Sequence, residues 1–432
     1  MQGPAVHSHS SDLLVTGRIL TLDAARPQVK ALGVRGGIVT ATGAVDEVRN
    51  ALRAGHRHIH AAAGVVVPGL IDAHVHLVDG GLYLAALDLA GVASREGWND
   101  RVRAHLADNQ SEWITGGGWD HERWGGTLPA RDWLDPFTGS RPALLMRSDL
   151  HIALANTAAL ERAGIDATAT TADPPGGQIL RDASGRPTGV LRDTAIELIA
   201  RHIPTPSHAE LDAALARATA HAHRHGVTQV HDKGELPPSW RDLEVLERAE
   251  AANRLSLRVS VATPVSDWQA LAERVRARGR GSDLLQWGSV KGFVDGSLGA
   301  GTARFHTPFD DLPDTRGLFV TDPDELQADI RGAWGAGLQP ITHAIGDAAV
   351  DWLIDVYADL PTAAQDRLPP RIEHAQHLSQ GVAARMASAG VIASMQPIHL
   401  VADAPWMERR LGPKRAAHAY PVRTLADAGV PL

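Results

Sequence analysis

The chain has no cysteine, which excludes disulfides and thiolate metal ligands. It also has no long uninterrupted apolar run. The longest, Ala61 to Leu70, is broken by Pro68 and is too short to span a bilayer. There is no basic excess: 50 acidic against 42 basic residues give a net charge of −8, and Lys and Arg are scattered rather than gathered into a stripe, which argues against a nucleic-acid partner. The opening MQGPAVHSHSSDLL shows no basic segment followed by an apolar core, so no secretory signal is visible. These absences point away from membranes and export and toward a cytoplasmic protein. What is present is globular: 432 residues, 44% apolar and 21% charged, enough to bury a large core as one barrel-sized domain or as two domains.

The first 64 residues read as a small domain, because DLLVTGRILTLD and KALGVRGGIVTATG are short, β-branched and cut by Gly-rich turns, as antiparallel hairpins are. From residue 65 onward, strand-like runs alternate with helical ones. The runs are Val65 to Leu77, Val227 to Asp232, Leu257 to Thr263, Ser289 to Asp295, Gln339 to His343, Arg371 to His374 and Val391 to Pro397, with an eighth onset at Val430. Amphipathic stretches such as LDAALARATAHAHRHG lie between them and end in glycine. Strand, helix, strand in this rhythm predicts an α/β fold, a (β/α)8 TIM-type barrel over 65–432. Residues from about 78 to 226, after the first barrel strand, are far longer than an ordinary connection and must carry structure of their own. The chain stops at Leu432 as the eighth strand should begin, so a C-terminally shortened form is expected, lacking the last strand and helix. Its two open edges would favour a homo-oligomer.

The polar residues fall where such barrels place chemistry, at the carboxyl ends of strands. His74 and His76 end an apolar run and share one strand face, with Asp72 on the same side. His343 and His374 end two later strands, and Lys291 lies inside a third. Paired imidazoles are the start of a zinc-type site. H-x-H spacing alone is weak evidence, since His7/His9, His56/His58/His60 and His221/His223/His225 show it too. The last three fall on a helical pattern and are expected to face solvent, and His56 to His60 read as an exposed linker. A buried ammonium at Lys291 is costly. It is relieved either by carbamylation with CO2, giving a carboxylate-like bridge between metals, or by a salt bridge to Asp295.

These segments resemble the amidohydrolase superfamily, in particular its YtcJ-like branch (amidohydrolase family 3), over essentially the whole chain. PGLIDAHVH (68–76), WITGGGWDHERW (113–124), DLHIALANTAAL (149–160), GVLRDTA (189–195), VKGFVDGSLGAGTA (290–303), THAIGDAAV (342–350) and IEHAQHL (372–378) carry the resemblance. It implies a (β/α)8 barrel flanked by a small β-sandwich, of which residues 1–64 would be the N-terminal half. It also implies one or two divalent ions, zinc first. By motif match, His74, His76, Lys291, His343 and His374 would bind the metal, and Lys291, His343 and His374 would serve catalysis. The family's strand-eight aspartate has no counterpart before Leu432.

The reaction this implies is hydrolysis of a non-peptide C–N bond, amide or N-acyl or N-formyl, in a small organic substrate by metal-activated water. A single-metal deaminase of the same superfamily and a non-catalytic metal-binding regulator are the alternatives. Trp119, His151, Asn156, Asp295 and Arg304 are the candidates for substrate contact, although a tryptophan such as Trp119 or Trp124 is more often core, and Asp295 and Arg304 could simply pair. Asp347 and Glu373, each close in sequence to a proposed ligand, are candidates to orient the imidazoles, but strand alternation turns Glu373 away from His374.

Overall fold

The computed structural model describes residues 12–148, 152–165, 171–174, 177–234, 240–361 and 367–432. The chain forms two compact units: the first runs to Asp72 and takes in His223–Gln229, and the second comprises Ala73–Ala222 and Val230–Leu432. The first unit holds β1 (Leu13–Leu20), β2 (Gln28–Arg35), β3 (Ile38–Gly43) and β4 (Arg57–Val66), in spatial order β3-β2-β1-β4. β1 pairs antiparallel with β2 and parallel with β4. Its small core is Leu14, Ala31, Val48 and Leu52. His58 and His60 are therefore not linker residues. They stand on β4, exposed, and both reach the Thr16 hydroxyl at 2.8 and 2.9 Å. The expected single run from Val65 to Leu77 is two strands, β4 and β5 (Leu70–Val75), separated at Val67–Gly69, where Pro68 cannot donate to a ladder.

The inserted segment builds its own six-stranded sheet from β6 (Leu87–Asp88), β7 (Ile114–Trp119), β8 (Ala143–Arg147), β9 (Ile152–Ala155), β10 (Gly177–Arg181) and β11 (Pro187–Asp193), in the order β10-β11-β9-β8-β7-β6. β6, β7 and β8 run parallel, while β8 with β9, and β9 and β10 with β11, are antiparallel. Apolar residues cover both faces: Leu87, Trp98, Trp119, Leu134 and Leu145 belong to one cluster, and Trp113, Leu144, Leu160, Ile179 and Leu191 to another. The glycine run in β7 has a steric cause. At Gly117, with φ 142°, a Cβ would lie 1.9 Å from the Met146 carbonyl oxygen, so only glycine lets the strands meet.

The barrel sheet consists of β5, β12 (Val227–Asp232), β13 (Arg258–Pro264), β14 (Leu285–Phe293), β15 (Gln339–Ala344), β16 (Arg371–His374) and β17 (Ile392–Ser394), each hydrogen-bonded to the next in chain order. β13 pairs parallel with β14, β14 with β15, β15 with β16 and β16 with β17. This is a nearly closed barrel of the TIM type, with seven strands among the described residues. β15 and β16 are buried almost throughout and β14 nearly so, as strands covered on both faces are. At the chain's end the Ala393 amide donates to the Pro431 carbonyl at 2.9 Å, beside β17. Helices between the strands start on defined caps, as where Asp322 accepts from the amides of Asp324 and Glu325 and Pro323 takes the first helical position. No helix among the described residues is long and apolar enough to cross a membrane.

Trp119 is fully buried, with its Nε1–H on the Leu145 carbonyl at 2.9 Å and its ring edge-on to Trp98. Trp119→Ala should lower stability by about 3–5 kcal/mol in urea unfolding, the loss expected of a large core aromatic. A loss under about 1 kcal/mol, the range of surface substitutions, would contradict this placement.

Candidate active site

Four imidazoles meet at the carboxyl ends of the barrel strands. Ring centroids are 5.8 Å apart for His74 and His76, 4.8 Å for His74 and His374, and 4.6 Å for His374 and His343. Lys291 is 2% exposed, its Nζ 4.1 Å from the centre of the Phe293 ring, and Phe293 lies 5.4 Å from His343. The five expected ligands thus converge from β5, β14, β15 and β16 and from the residue that follows β5.

Beneath the rings lies Glu373, 0% exposed. Its Oε2 accepts from His74 Nδ1 at 2.5 Å, and its Oε1 lies 3.2 Å from Lys233 Nζ and 2.7 Å from Arg371 Nε. Alternation alone would point Glu373 away from His374. The backbone defeats it: His374 and Ala375 adopt left-handed φ of 76° and 43°, so both side chains reach one cluster. Such conformations in residues other than glycine cost of order 1–3 kcal/mol and gather at functional sites. Arg371 also donates to the Ala73 carbonyl at 2.5 Å, to Ser394 Oγ at 2.8 Å and to His231 Nδ1 at 2.8 Å.

These contacts set the protonation of the site. Burial pushes the Glu373 carboxyl upward, but His74, Lys233 and Arg371 outweigh it and hold it well below the usual carboxylate range. Burial lowers His74 to about 4 against the upward pull of Glu373, and holds His374 well below the ordinary imidazole range, with His343, His74 and Lys291 adding to the effect. Burial likewise lowers Lys233 to about 8, with Glu373 opposing. His74 and His374 are therefore neutral at pH 7, the form that binds metals. Their tautomers follow from their partners. Nδ1–H of His74 donates to Glu373 and Nδ1–H of His374 donates to Gln396 Oε1 at 2.6 Å, which puts both lone pairs on Nε2. His343 Nε2–H donates to the Gly296 carbonyl at 3.1 Å, which puts its lone pair on Nδ1.

Among the described residues, no three histidine, cysteine or carboxylate groups stand ready-made to hold a metal ion. The chemistry of the donor set nevertheless suits a divalent ion. His343 and His374 are buried and His74 and His76 partly so, and the rings of His74 and His374 are held from behind by a carboxylate and a carboxamide, as metal-ligating histidines are.

The substrate-contact candidates divide. Trp119 and Asn156 are corrections to the sequence reading, because both are fully buried in the β6–β11 region rather than lining a pocket. Asn156 caps helix Thr157–Arg162 through the Ala159 amide and also bonds Ala143, Thr138 and Arg141. Asp295 is equally buried. Its carboxylate accepts the backbone amides of Arg304, Ile345 and Gly346 at 2.8 to 3.0 Å and lies 3.4 Å from His343 Nε2, so it anchors the loop after β14. Arg304 lays its guanidinium over Phe319, 4.4 Å from the ring centre. Asp347 accepts from the His306 amide at 2.9 Å. His151 lies outside the described residues. The sequence reading missed Lys233, Arg371, Gln396 and His399. For Lys233 and Gln396 the available signal was a charged or amide group just after an apolar strand, in VHDKG and SMQPIH.

The family profile described as the amidohydrolase family matches residues 57–432. The chain belongs to the amidohydrolase family. It is 38% identical over 419 residues to Protein LONG AFTER FAR-RED 3 of Arabidopsis thaliana, covering 94% of this chain and 71% of that protein. It is 29% identical to the Bacillus subtilis (strain 168) protein named "Putative amidohydrolase YtcJ", covering 96% and 78%. Identity to the N-substituted formamide deformylase of Arthrobacter pascens is 26%, covering 97% and 79%. Among solved structures, an uncharacterized metal-dependent hydrolase from Pyrococcus horikoshii OT3 superposes with a TM-score of 0.77 at 26% identity, covering 97% of this chain and 81% of the other.

Two predictions follow from the charges. Glu373→Gln leaves Lys233 and Arg371 buried without their counter-ion and should cost about 3–5 kcal/mol in chemical unfolding. A cost below about 1 kcal/mol would show that the carboxylate does not carry this balance. Burial holds His231 at about 4 and His377 at about 3, both below the ordinary 6.5. Between those values the unfolded chain binds more protons than the folded one, so stability falls as pH drops below about 6.5, by up to about 1.4 kcal/mol per pH unit for each site. His377→Phe should flatten the dependence of Tm on pH between about 4 and 6.5; an unchanged slope would contradict the burial of a neutral ring.

Proposed function

We propose that this chain is a metal-dependent hydrolase of carbon–nitrogen bonds other than peptide bonds. Its substrate would be a small organic amide or N-formyl or N-acyl amine, met in the cytoplasm. The observation that carries the reading is the gathering of four histidines over one buried carboxylate. The name of the formamide deformylase relative supports the choice of bond.

His74, His76, His343 and His374 would hold a divalent ion, zinc first, and Lys291, carbamylated on Nζ, would complete the set. A bound divalent ion supplies Lewis acidity toward a carbonyl oxygen and lets water ionise near neutral pH. The chain's own residues prepare the site for it. Glu373 and Gln396 keep protons on the Nδ1 atoms of His74 and His374, so the Nε2 lone pairs face the cluster. Burial keeps the rings uncharged. Lys233 and Arg371 hold Glu373 ionised, so it accepts the His74 proton bond rather than competing for the proton.

The test is turnover of N-formyl and N-acyl amines by zinc-loaded and chelator-stripped protein, with metal content measured for each variant. His74→Ala and His374→Ala should each lower metal affinity by at least about tenfold and abolish turnover. Full turnover by the stripped protein, or metal retained by both variants, would overturn the proposal.

A further inference from the structure

His399 stands on the connection that leaves β17, in the first turn of helix Pro397–Ala416. The same connection supplies Gln396, whose Oε1 accepts from His374. One turn on, the His399 ring stacks on His374, with centroids 5.8 Å apart and planes 20° from parallel. The helix is pinned beyond it. Met407 and Leu411 pack with Phe305 and Phe309, Arg410 pairs with Asp311, and Tyr420 donates to Asp403 at 2.6 Å.

The other contact of His399 fixes its proton. Gln376 Nε2 lies 3.2 Å from His399 Nδ1. A carboxamide nitrogen can only donate, so Nδ1 accepts and the ring proton sits on Nε2. Gln376 is 3% exposed while His399 is half-buried, so a buried amide holds the ring by Nδ1 and leaves Nε2–H to serve another acceptor. His74 and His374 turn lone pairs toward the cluster, whereas an amide carbonyl oxygen needs a donor.

The geometry points to His399 as a catalytic residue that donates its Nε2–H to the carbonyl oxygen of the bound amide and stabilises the negative charge that grows there during attack. This assignment rests on the hydrolase reading above. Removing one such preorganised donor costs about 100-fold in kcat.

The test uses the full-length, zinc-loaded, 15N-labelled protein, with His399→Phe, which keeps an aromatic ring but no donor, to assign the His399 signals. Long-range 1H–15N spectra should show His399 protonated on Nε2 and not on Nδ1, and acetohydroxamate, a small amide-like probe, should shift the Nε2–H signal. His399→Phe should keep its zinc and lower kcat for N-benzylformamide about 100-fold with KM changed less than about threefold, and His399→Gln, whose carboxamide can donate, should regain part of the rate. A proton on Nδ1, an Nε2–H signal unmoved by acetohydroxamate, or an unchanged kcat in His399→Phe overturns the assignment. A wild type that shows the shift but hydrolyses no amide would overturn the hydrolase reading and leave the His399 donor standing.

Discussion

The carboxylate of Glu373 is the constraint around which this site is arranged. A fully buried anion survives only when charged and hydrogen-bonding groups surround it, because desolvation costs several kcal/mol per ion. Here the surrounding groups are His74 at the end of β5, Lys233 just after β12 and Arg371 on β16 itself. Compensating one charge therefore ties together three strand ends, and Arg371 extends the tie to Ala73, His231 and Ser394. The orientation of His74 is a by-product of that compensation. The same hydrogen bond that helps satisfy the buried Glu373 carboxylate fixes the ring proton on Nδ1 and leaves the lone pair on Nε2.

Around this centre the backbone spends conformational energy to bring side chains together. The left-handed φ values of His374 and Ala375 let adjacent residues of β16 serve one cluster. Asp295 gathers the amides of Arg304, Ile345 and Gly346, which pins the loop after β14 against the end of β15, and the Gly296 carbonyl in that loop sets the tautomer of His343. Each of the three oriented imidazoles thus owes its orientation to a different kind of acceptor: a carboxylate, a carboxamide or a backbone carbonyl.

Much of this was legible in the sequence, for a physical reason. Parallel barrel strands are short, apolar and followed by polar residues at one end, so β12 and β16 could be bounded by composition alone and His74, His343 and His374 placed at strand ends. What failed was side-chain direction and partnership. Strand alternation misplaced Glu373 because nothing in IEH announces a left-handed φ at histidine. Trp119 and Asn156 looked like pocket walls because polar and aromatic groups among apolar residues suit a ligand and a core cap equally well; the structure spends Asn156 on capping and strand bonds and Trp119 on the Leu145 carbonyl. Lys233 escaped because its burial depends on Glu373, 140 residues away in the sequence. His58 and His60 read as linker because β4 is exposed along most of its length and has no apolar stripe to mark it.

On this reading His74, His76, His343 and His374 form a divalent-metal centre. Anomalous X-ray diffraction at the zinc edge, on crystals of the zinc-loaded protein, tests it most directly. A strong peak is expected about 2.0–2.1 Å from Nε2 of both His74 and His374, with Nδ1 of His74 still on Glu373. A peak elsewhere on the chain, or none at full zinc loading, would contradict it.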